Sequence, residues 1–162
     1  MERGNIPSLA ELCIASIMQT LEGNKYHPKL INEICKHIPD SLLDPIFEQM
    51  QDKRVITDVS LTFFLVPSRS RVFLPAAIQL RNSTLKQIGY NCPNLRFLDL
   101  SNCTQVSNSV VRTILQHCPL LSDLRLDRCH RVTDSAFDVS ESPFSALLGC
   151  LSLEVISLQV LS

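Results

Sequence analysis

A pattern that recurs after 26 residues restricts the fold of this chain more than any other feature. Residues 92–103 and residues 118–129 both read CPxLxxLxLxxC, so the cysteines, prolines and leucines of the two copies coincide. A partial copy opens at Cys150, after a spacer lengthened by six residues, and a degenerate copy begins at Val66-Pro67. The sequence therefore contains two full units and two partial ones.

Each full unit predicts a short strand followed by a helix. Leu98 and Leu100 alternate with a charged residue, as do Leu124 and Leu126, which is typical of a strand with one buried face. After the first of these strands, apolar residues recur between positions 106 and 115 with the spacing of one helix face. Ser107 is positioned to cap the first turn of that helix.

A single strand-plus-helix unit cannot bury its own apolar face, whereas stacked units share one continuous core. The motif resembles the cysteine-containing leucine-rich repeats of F-box leucine-rich-repeat proteins and of the antagonist of mitotic exit network family. We therefore predict an α/β fold, a leucine-rich-repeat solenoid with parallel strands on the concave side, helices on the convex side and an all-helical cap at the N-terminus. The cysteines are expected in the narrow interior corners, because free cysteine most often behaves as a small buried hydrophobe.

Two domains are predicted: residues 1–58, which do not repeat, form the helical cap, and residues 59–162 form the repeats. The predicted repeats are a degenerate unit, a full unit, a full unit with an insertion and a truncated unit, at 66–91, 92–117, 118–149 and 150–162. A truncated last unit would leave apolar surface and unpaired backbone groups exposed. We therefore expect the full-length form to carry more repeats.

In solenoids of this kind, the residues between the strand leucines point out of the concave face, where they either stay solvated or bind a partner. Phe97 and Arg125 belong to the residue types that interfaces favour. The predicted partner face comprises Arg71, Phe73, Phe97, Asp99, Ser101, Asp123, Arg125, Asp127, Ser157 and Gln159.

The N-terminal residues predict three helical segments. The breaks between them fall at Gly23-Asn24, Pro28 and Pro39. The first segment opens with Ser8-Leu-Ala-Glu11, a capping box in which each end residue bonds to the backbone of the other. Leu9, Cys13 and Ile17 then recur every fourth residue, which indicates one face of an amphipathic helix.

The spacing Ser8-Leu9-xxx-Cys13-xxx-Ile17 resembles the box by which substrate receptors of the von Hippel-Lindau type bind elongin C. In that family the leucine enters a pocket on elongin C, and the cysteine and the aliphatic residue pack beside it. The resemblance implies that Leu9, Cys13 and Ile17 bind this adaptor. The same spacing is also typical of a helix face that packs into its own core.

A second element follows the first in the chain. Ile38-Pro39-xx-Leu42-xxx-Ile46 resembles the short cullin-2 box that comes after the elongin box in the same family. The two boxes in this order, followed by leucine-rich repeats, resemble the Zyg-11 type of receptor. This resemblance implies a substrate-recognition subunit of a cullin-RING ubiquitin ligase, with elongin B/C, a cullin and a protein substrate as partners.

Two alternatives remain open for the N-terminal part. Residues 38–47 also resemble the opening of an F-box, which binds the Skp1 adaptor, although an F-box ends in a Cys-Arg-x-Trp-like stretch and this chain has no Trp. Pro45 suits either adaptor interpretation if Asp44 caps a helix and Pro45 is its first residue. The second alternative is a plain scaffold or fragment, in which residues 1–58 only cover the apolar end of the solenoid.

No motif for catalysis or cofactor binding is present. The four glycines are too scattered for a GxGxxG, Walker or GxSxG loop, and the seven cysteines contain no CxxC pair. Although His117-Cys118 and Cys129-His130 could converge, buried core cysteines are the favoured interpretation, and no metal or cofactor is predicted. We expect a protein that is not an enzyme, with a hydrolase assembled from dispersed residues as the remaining alternative.

Charge and hydropathy limit the partners. The 15 Lys and Arg residues oppose 16 Asp and Glu residues, and the net charge of -1 leaves no basic excess for nucleic acid. The apolar stretches fall far short of the roughly 20 residues that cross a bilayer, and the N-terminus lacks the apolar region of a signal peptide. We therefore expect protein partners, no nucleic acid, no membrane, and a cytoplasmic or nuclear location.

Overall fold

Short parallel strands alternate with helices in the second part of the chain. The computed structural model describes residues 8–137 and 155–157. The chain divides into two units, Met1–Val55 and Ile56–Ser162. The first unit contains three helices, α1 (Leu9–Gly23), α2 (Pro28–His37) and α3 (Asp40–Asp52). The described elements of the second unit are, in chain order, α4 (Asp58–Phe64), β1 (Arg71–Phe73), α5 (Asn82–Asn91), β2 (Phe97–Asp99), α6 (Asn108–His117), β3 (Asp123–Arg125), a 3₁₀ turn (Asp134–Ala136) and β4 (Val155–Ser157).

The helices of the first unit begin and end where the sequence indicates. The Ser8 hydroxyl accepts a hydrogen bond from the backbone N–H of Glu11 at 3.2 Å, and the Glu11 carboxylate accepts one from the Ser8 N–H at 2.6 Å, which confirms the predicted capping box. α1 ends at Gly23. α2 begins at Pro28, because a proline in the first turn has no intrahelical hydrogen bond to lose.

The condition that Pro45 be the first residue of a helix is not met, since α3 continues through it. Proline lacks a backbone N–H, so the carbonyl of Ser41 has no donor one turn further along the helix. Ile46 and Phe47, directly after the proline, are 1% and 2% exposed. The burial of this helix face offsets the missing hydrogen bond, because tertiary packing contributes most of the stability of a protein helix.

The second unit is built on a parallel sheet whose four described strands follow chain order, β1-β2-β3-β4. Val72 pairs with Leu98, Leu98 with Leu124 and Leu124 with Ile156. The predicted alignment of Leu98, Leu124 and Ile156 on adjacent parallel strands is therefore confirmed. The degenerate unit at residues 66–91 supplies β1, with Val72 at its centre, as the sequence indicates.

The core of the second unit lies between the sheet and its helices. Val72, Leu98 and Leu124 are at most 1% exposed, and the residues beside them in each strand point to the opposite face, because strand side chains alternate. The buried helix residues that complete the core include Leu85, Ile88, Val110, Val111 and Ile114. The fold is thus a mixed α/β arrangement in which helices connect the strands of a small parallel sheet.

Within the second unit, hydrogen bonds between successive repeats extend beyond the three-residue strands. The N–H of Leu74 donates to the carbonyl of Asp99 at 2.8 Å, and the N–H of Leu100 donates to the carbonyl of Arg125 at 2.9 Å. These two bonds occupy equivalent positions in successive units. Each unit therefore satisfies backbone groups that its neighbour would leave unpaired when buried.

A left-handed backbone conformation recurs in the turns after β1, β2 and β3. Ala76, Asn102 and Arg128 have φ angles of 56°, 62° and 58°. Only asparagine among these adopts such angles readily, and the left-handed conformation costs other L-residues about 1–2 kcal/mol. The N–H of Ala76 donates to the carbonyl of Ser101 at 2.7 Å, so the hydrogen bond to the next unit helps to hold the turn.

Two glutamines at the repeat spacing connect each unit to the chain before it. Gln79 Nε2 donates to the carbonyl of Ile56 at 2.8 Å, and Gln105 Nε2 donates to the carbonyl of Ala77 at 2.7 Å. Each side chain therefore donates a hydrogen bond to a loop carbonyl that lies outside the hydrogen bonds of the short strands. This contact was not anticipated from the leucine and cysteine pattern.

The repeat cysteines form a second series of contacts between successive repeats. Their predicted burial is confirmed for all four that the structure describes in the second unit. Cys103 Sγ donates to the carbonyl of Leu74 and Cys129 Sγ to that of Leu100, both at 3.1 Å. Burial raises the pKa of Cys103 to about 12 and the pKa of Cys129 to about 11. The thiols therefore remain protonated donors at neutral pH. Cys150 lies outside the described residues.

Gly89 allows α5 and α6 to approach closely. A Cβ at this position would lie 3.0 Å from the carbonyl oxygen of Thr113 and 3.2 Å from Cα of Ile114. Both are backbone atoms of α6, which cannot move aside as the end of a flexible side chain could. A Cβ at Gly23, the last residue of α1, would meet nothing within 4 Å.

We expect thiol labelling of the native protein at pH 8 to separate the cysteines. Iodoacetamide should modify the exposed Cys13 and spare Cys92, Cys103, Cys118 and Cys129, which are buried. At a pKa of about 11, as for Cys92, roughly one thiol in a thousand would be ionised at this pH. Peptide mass mapping checks this, and labelling of Cys103 at the rate of Cys13 without denaturant would contradict it.

The Gly89→Ala substitution is expected to lower the free energy of unfolding by about 1 kcal/mol. Better helix propensity would contribute about 1 kcal/mol of stability, but overpacking costs typically 1–3 kcal/mol, so the steric term dominates. Gly23→Ala is the matched control and should leave stability unchanged or slightly raised. Urea denaturation followed by circular dichroism measures both variants. A midpoint for Gly89→Ala at or above that of the wild type would show that the helices are not in close contact.

Candidate interaction surfaces

One face of α1 is apolar and exposed to solvent. The helix buries Ile14, Met18 and Leu21, which are 6%, 3% and 0% exposed. These three residues recur at the spacing of a single helix face, so they supply the contribution of α1 to the core. The predicted adaptor-binding residues are on a different face of the helix.

That exposed face, termed here the α1 stripe, consists of Leu9, Leu12, Cys13 and Ile17. Leu9 is 79% exposed and Leu12 is 53% exposed. Cys13 is also exposed, and Ile17 is half-buried. Residues three and four apart are neighbours on a helix surface, so these side chains form one patch. The α1 stripe is therefore not the private core face that the same spacing could have indicated.

The capping box fixes the start of the helix on which Leu9 stands. Hydrogen bonds from the backbone and hydroxyl of Ser8 lower the pKa of the Glu11 carboxyl below its ordinary value. The carboxylate is therefore ionised at neutral pH and accepts the bond that closes the box. A defined first turn places Leu9 at a fixed position before a partner arrives, which reduces the ordering cost of binding.

The cullin-box-like residues are divided between the surface and the core. Pro39 is exposed, and Ile38 and Leu42 are half-buried. Ile46 is only 1% exposed, so it belongs to the core and offers no surface to a partner. The expectation of an accessible site at Ile46 is therefore wrong, because the helix continues through Pro45 and turns this residue inward.

The predicted partner face corresponds to the face of the sheet opposite the buried strand residues, termed here the open face. Arg71, Phe73 and Arg125 are exposed there, with Phe73 at 44%. Phe97, Asp123, Ser101 and Asp127 are half-buried. Ser157 is the last residue of β4, and Gln159 lies outside the described residues.

Asp99 does not contribute accessible surface, contrary to the expectation. It is 5% exposed, and its carboxylate accepts a hydrogen bond from the backbone N–H of Ser101 at 2.8 Å. The bond is of the type in which an aspartate stabilises the turn that follows it. Asp99 therefore stabilises the turn at the end of β2.

Phe97 stands between two arginines on the open face. The Cζ atom of Arg71 lies 4.8 Å from the centre of the Phe97 ring, and that of Arg125 lies 5.1 Å from it. Each contact is a cation–π interaction, worth about 0.5–1 kcal/mol at an exposed site. The ring thus restrains both guanidinium groups, which the strand register brings to neighbouring positions.

An open depression of about 440 Å³ lies beside this cluster. Arg71, Arg96, Arg125, Phe97 and Asp123 line it, so three guanidinium groups face one carboxylate, a formal excess of two positive charges. This excess is local, because the chain as a whole carries a net charge of -1. We term this part of the open face the basic depression.

The single acid in the basic depression is only weakly paired. Arg125 Nε lies 3.5 Å from Asp123 Oδ1, within the range of an ion pair, but this oxygen is buried and accepts no hydrogen bond from the described residues. Among the same residues, no carboxylate forms an ion pair with Arg71 or Arg96. The guanidinium groups of these two arginines are therefore available to a ligand.

Arg96 was not predicted from the sequence, nor were Ser70 and Ser122, which also line the basic depression. All three precede a strand directly, at positions 26 residues apart. The repeat spacing could have identified them, but the predicted face began one position later, at Arg71, Phe97 and Asp123. The N–H of Arg96 donates to the carbonyl of Ser70 at 2.8 Å, and the N–H of Ser122 to that of Arg96 at 2.8 Å, so the strand ladder aligns them.

The described residues contain no group of three or more His, Cys, Asp or Glu side chains that could hold a metal ion. Within the same residues, no helix has both the length and the apolar character needed to span a bilayer.

Comparison with known proteins gives a structural similarity without a sequence match. No family model matches the chain, and no curated protein matches it in sequence. A similar fold occurs in the crystal structure of the Rad7 and Elc1 complex of yeast, with a TM-score of 0.52 and 19% sequence identity. The match covers 96% of this chain and 46% of the other, so the chain spans about half the length of the chain it matches. At this level of identity, the similarity concerns the fold.

Proposed function

We propose that the protein is a leucine-rich-repeat solenoid that serves as a substrate-recognition subunit of a cullin-RING ubiquitin ligase. In this proposal the α1 stripe binds elongin C, the open face of the sheet is the concave face that binds a protein target, and the cullin complex carries out ubiquitin transfer. The protein itself has no catalytic role. The observation that carries the proposal is the exposure of Leu9, Leu12 and Cys13 on a helix that builds its core contacts from other residues.

The exposed leucines of the α1 stripe favour the binding of a partner that would bury them. Burying a leucine side chain contributes about 1.5–3 kcal/mol, so Leu9 and Leu12 together could supply several kcal/mol of binding free energy. Single exposed apolar residues are normal on protein surfaces, but a contiguous apolar patch marks an interaction site more often. Leu9, Cys13 and Ile17 of the α1 stripe have the spacing of the elongin C-binding box, and the core residues of the helix lie on another face.

The repeat register supports the solenoid. Strands in chain order, residues paired at a 26-residue interval and buried thiols that bond to the preceding unit are the features expected of stacked repeats. The similar yeast structure is a complex of two proteins, Rad7 and Elc1. A fold that assembles with a protein partner in that complex is consistent with protein partners for this chain.

We expect the purified protein to capture elongin B/C, and Leu9→Ser to weaken this binding at least about tenfold, because a buried leucine contributes more than the 1.4 kcal/mol that corresponds to that factor. Since Leu9 is 79% exposed, the substitution should change the free energy of unfolding by less than about 0.5 kcal/mol. Isothermal titration calorimetry and urea denaturation provide the two measurements.

Ala15→Ser is the matched control, because Ala15 is an exposed residue of α1 outside the stripe. It should bind elongin B/C as the wild type does. Capture by Skp1 instead of elongin B/C would support the F-box alternative, and capture by neither would leave a scaffold without a ligase role. Loss of stability in Leu9→Ser equal to the loss of binding would contradict the assignment of Leu9 to a binding surface.

A further inference from the structure

The basic depression combines a local charge excess with groups held in place by the fold. Arg71 and Arg96 have no acidic partner among the described residues, and Arg71 and Arg125 are restrained against Phe97. Unpaired guanidinium groups in a restrained position bind an anion with little loss of side-chain freedom. Three arginines at one site of a chain whose net charge is -1 form a local concentration of positive charge, which attracts anions.

The size of the charge excess indicates which anion fits. A single carboxylate would neutralise half of the formal excess of two, whereas a phosphorylated side chain carries a charge of about -1.5 to -2 at neutral pH. Phosphate also presents three acceptor oxygens, and arginine binds such oxygens through two parallel N–H bonds. Two guanidinium groups lie over the Phe97 ring, which leaves N–H donors at their edges for the ligand.

The depression also offers a place for the peptide that would carry the phosphate. The Asp123 side chain lines the depression and is partly exposed, so its carboxylate can accept a backbone N–H of an extended segment. Ser70 and Ser122 line the same depression and add polar side chains at its edge. A bare phosphate has no N–H to donate to Asp123, and the Asp123 carboxylate would repel a second phosphate group.

We propose that the basic depression binds a phosphorylated serine or threonine segment of the target protein, with the phosphate held by Arg71, Arg96 and Arg125. The proposal rests on target binding by the open face and is independent of adaptor binding by α1. The target is therefore recognised only after a kinase has acted on it.

Fluorescence anisotropy with three degenerate nonapeptide libraries tests this proposal. The central residue is phosphoserine in the first library, serine in the second and glutamate in the third. We expect the phosphoserine library to bind at least about tenfold more tightly than either of the others, with an affinity that falls as salt is added. Equal binding of the serine library, tight binding of the glutamate library or absence of binding by the phosphoserine library would overturn the proposal.

Arg71→Gln and Arg96→Gln should each weaken binding of the phosphoserine library about tenfold without affecting the fold, because neither guanidinium group has an ionic partner to lose among the described residues. Arg131→Gln is the matched control, since Arg131 is exposed and does not line the depression. Unchanged binding in both test variants would overturn the proposal. Displacement of the library by an equal concentration of oligothymidine would assign the site to nucleic acid and would also overturn it.

A photo-crosslinking residue at Phe73 separates this proposal from the proposed function. Phe73 is exposed on the open face and does not line the depression. Crosslinked products that disappear when the cell extract is treated with phosphatase are the expected result. Products that persist after this treatment would overturn only the phosphate requirement. No products in either extract, together with no binding of the phosphoserine library, would overturn target binding by the open face as well.

Discussion

The pairing of residues 26 positions apart in a parallel sheet is the constraint on which the structure of residues 71–125 depends. Strands of three residues form too few hydrogen bonds to be stable by themselves. Each strand therefore needs the buried row of Val72, Leu98 and Leu124 on one side and further bonds beyond its ends. The turns, the glutamine amides and the cysteine thiols supply those bonds, either to the neighbouring repeat or, for Gln79, to the chain just before the first repeat.

This constraint also produces the candidate binding surface. Because successive strands are in register, the residues directly before and within them form lines across the sheet, and Arg71 and Arg125 are thereby placed against Phe97. In the first unit, α1 uses Ile14, Met18 and Leu21 for its core and leaves the α1 stripe exposed. In both units, the residues that stabilise the fold are therefore distinct from those available to a partner.

The repeat pattern was sufficient to predict the strands, their register and the burial of the thiols, because these follow from the positions of Leu98, Leu124 and the cysteines. The capping box at Ser8 was predicted for the same reason, since it depends on residues close in sequence. The position of Pro45 inside a helix and the burial of Ile46 and Asp99 could not be predicted, because they depend on packing and turn geometry that the spacing of residues in the sequence does not specify. The basic depression was only half anticipated: Arg71, Phe97, Asp123 and Arg125 are strand residues, whereas Arg96 lies just outside the strand pattern.

Stacking of the units can be measured by a methyl NOE experiment on the folded protein with labelled leucine and valine side chains. Stacked units place Leu98 between Val72 and Leu124, so the methyl groups of Leu98 should show cross-peaks to both neighbours. Cross-peaks to both would establish the ladder on which the open face depends. If Leu98 showed contacts only to residues of its own unit, the units would not be stacked, and neither the open face nor the basic depression would exist.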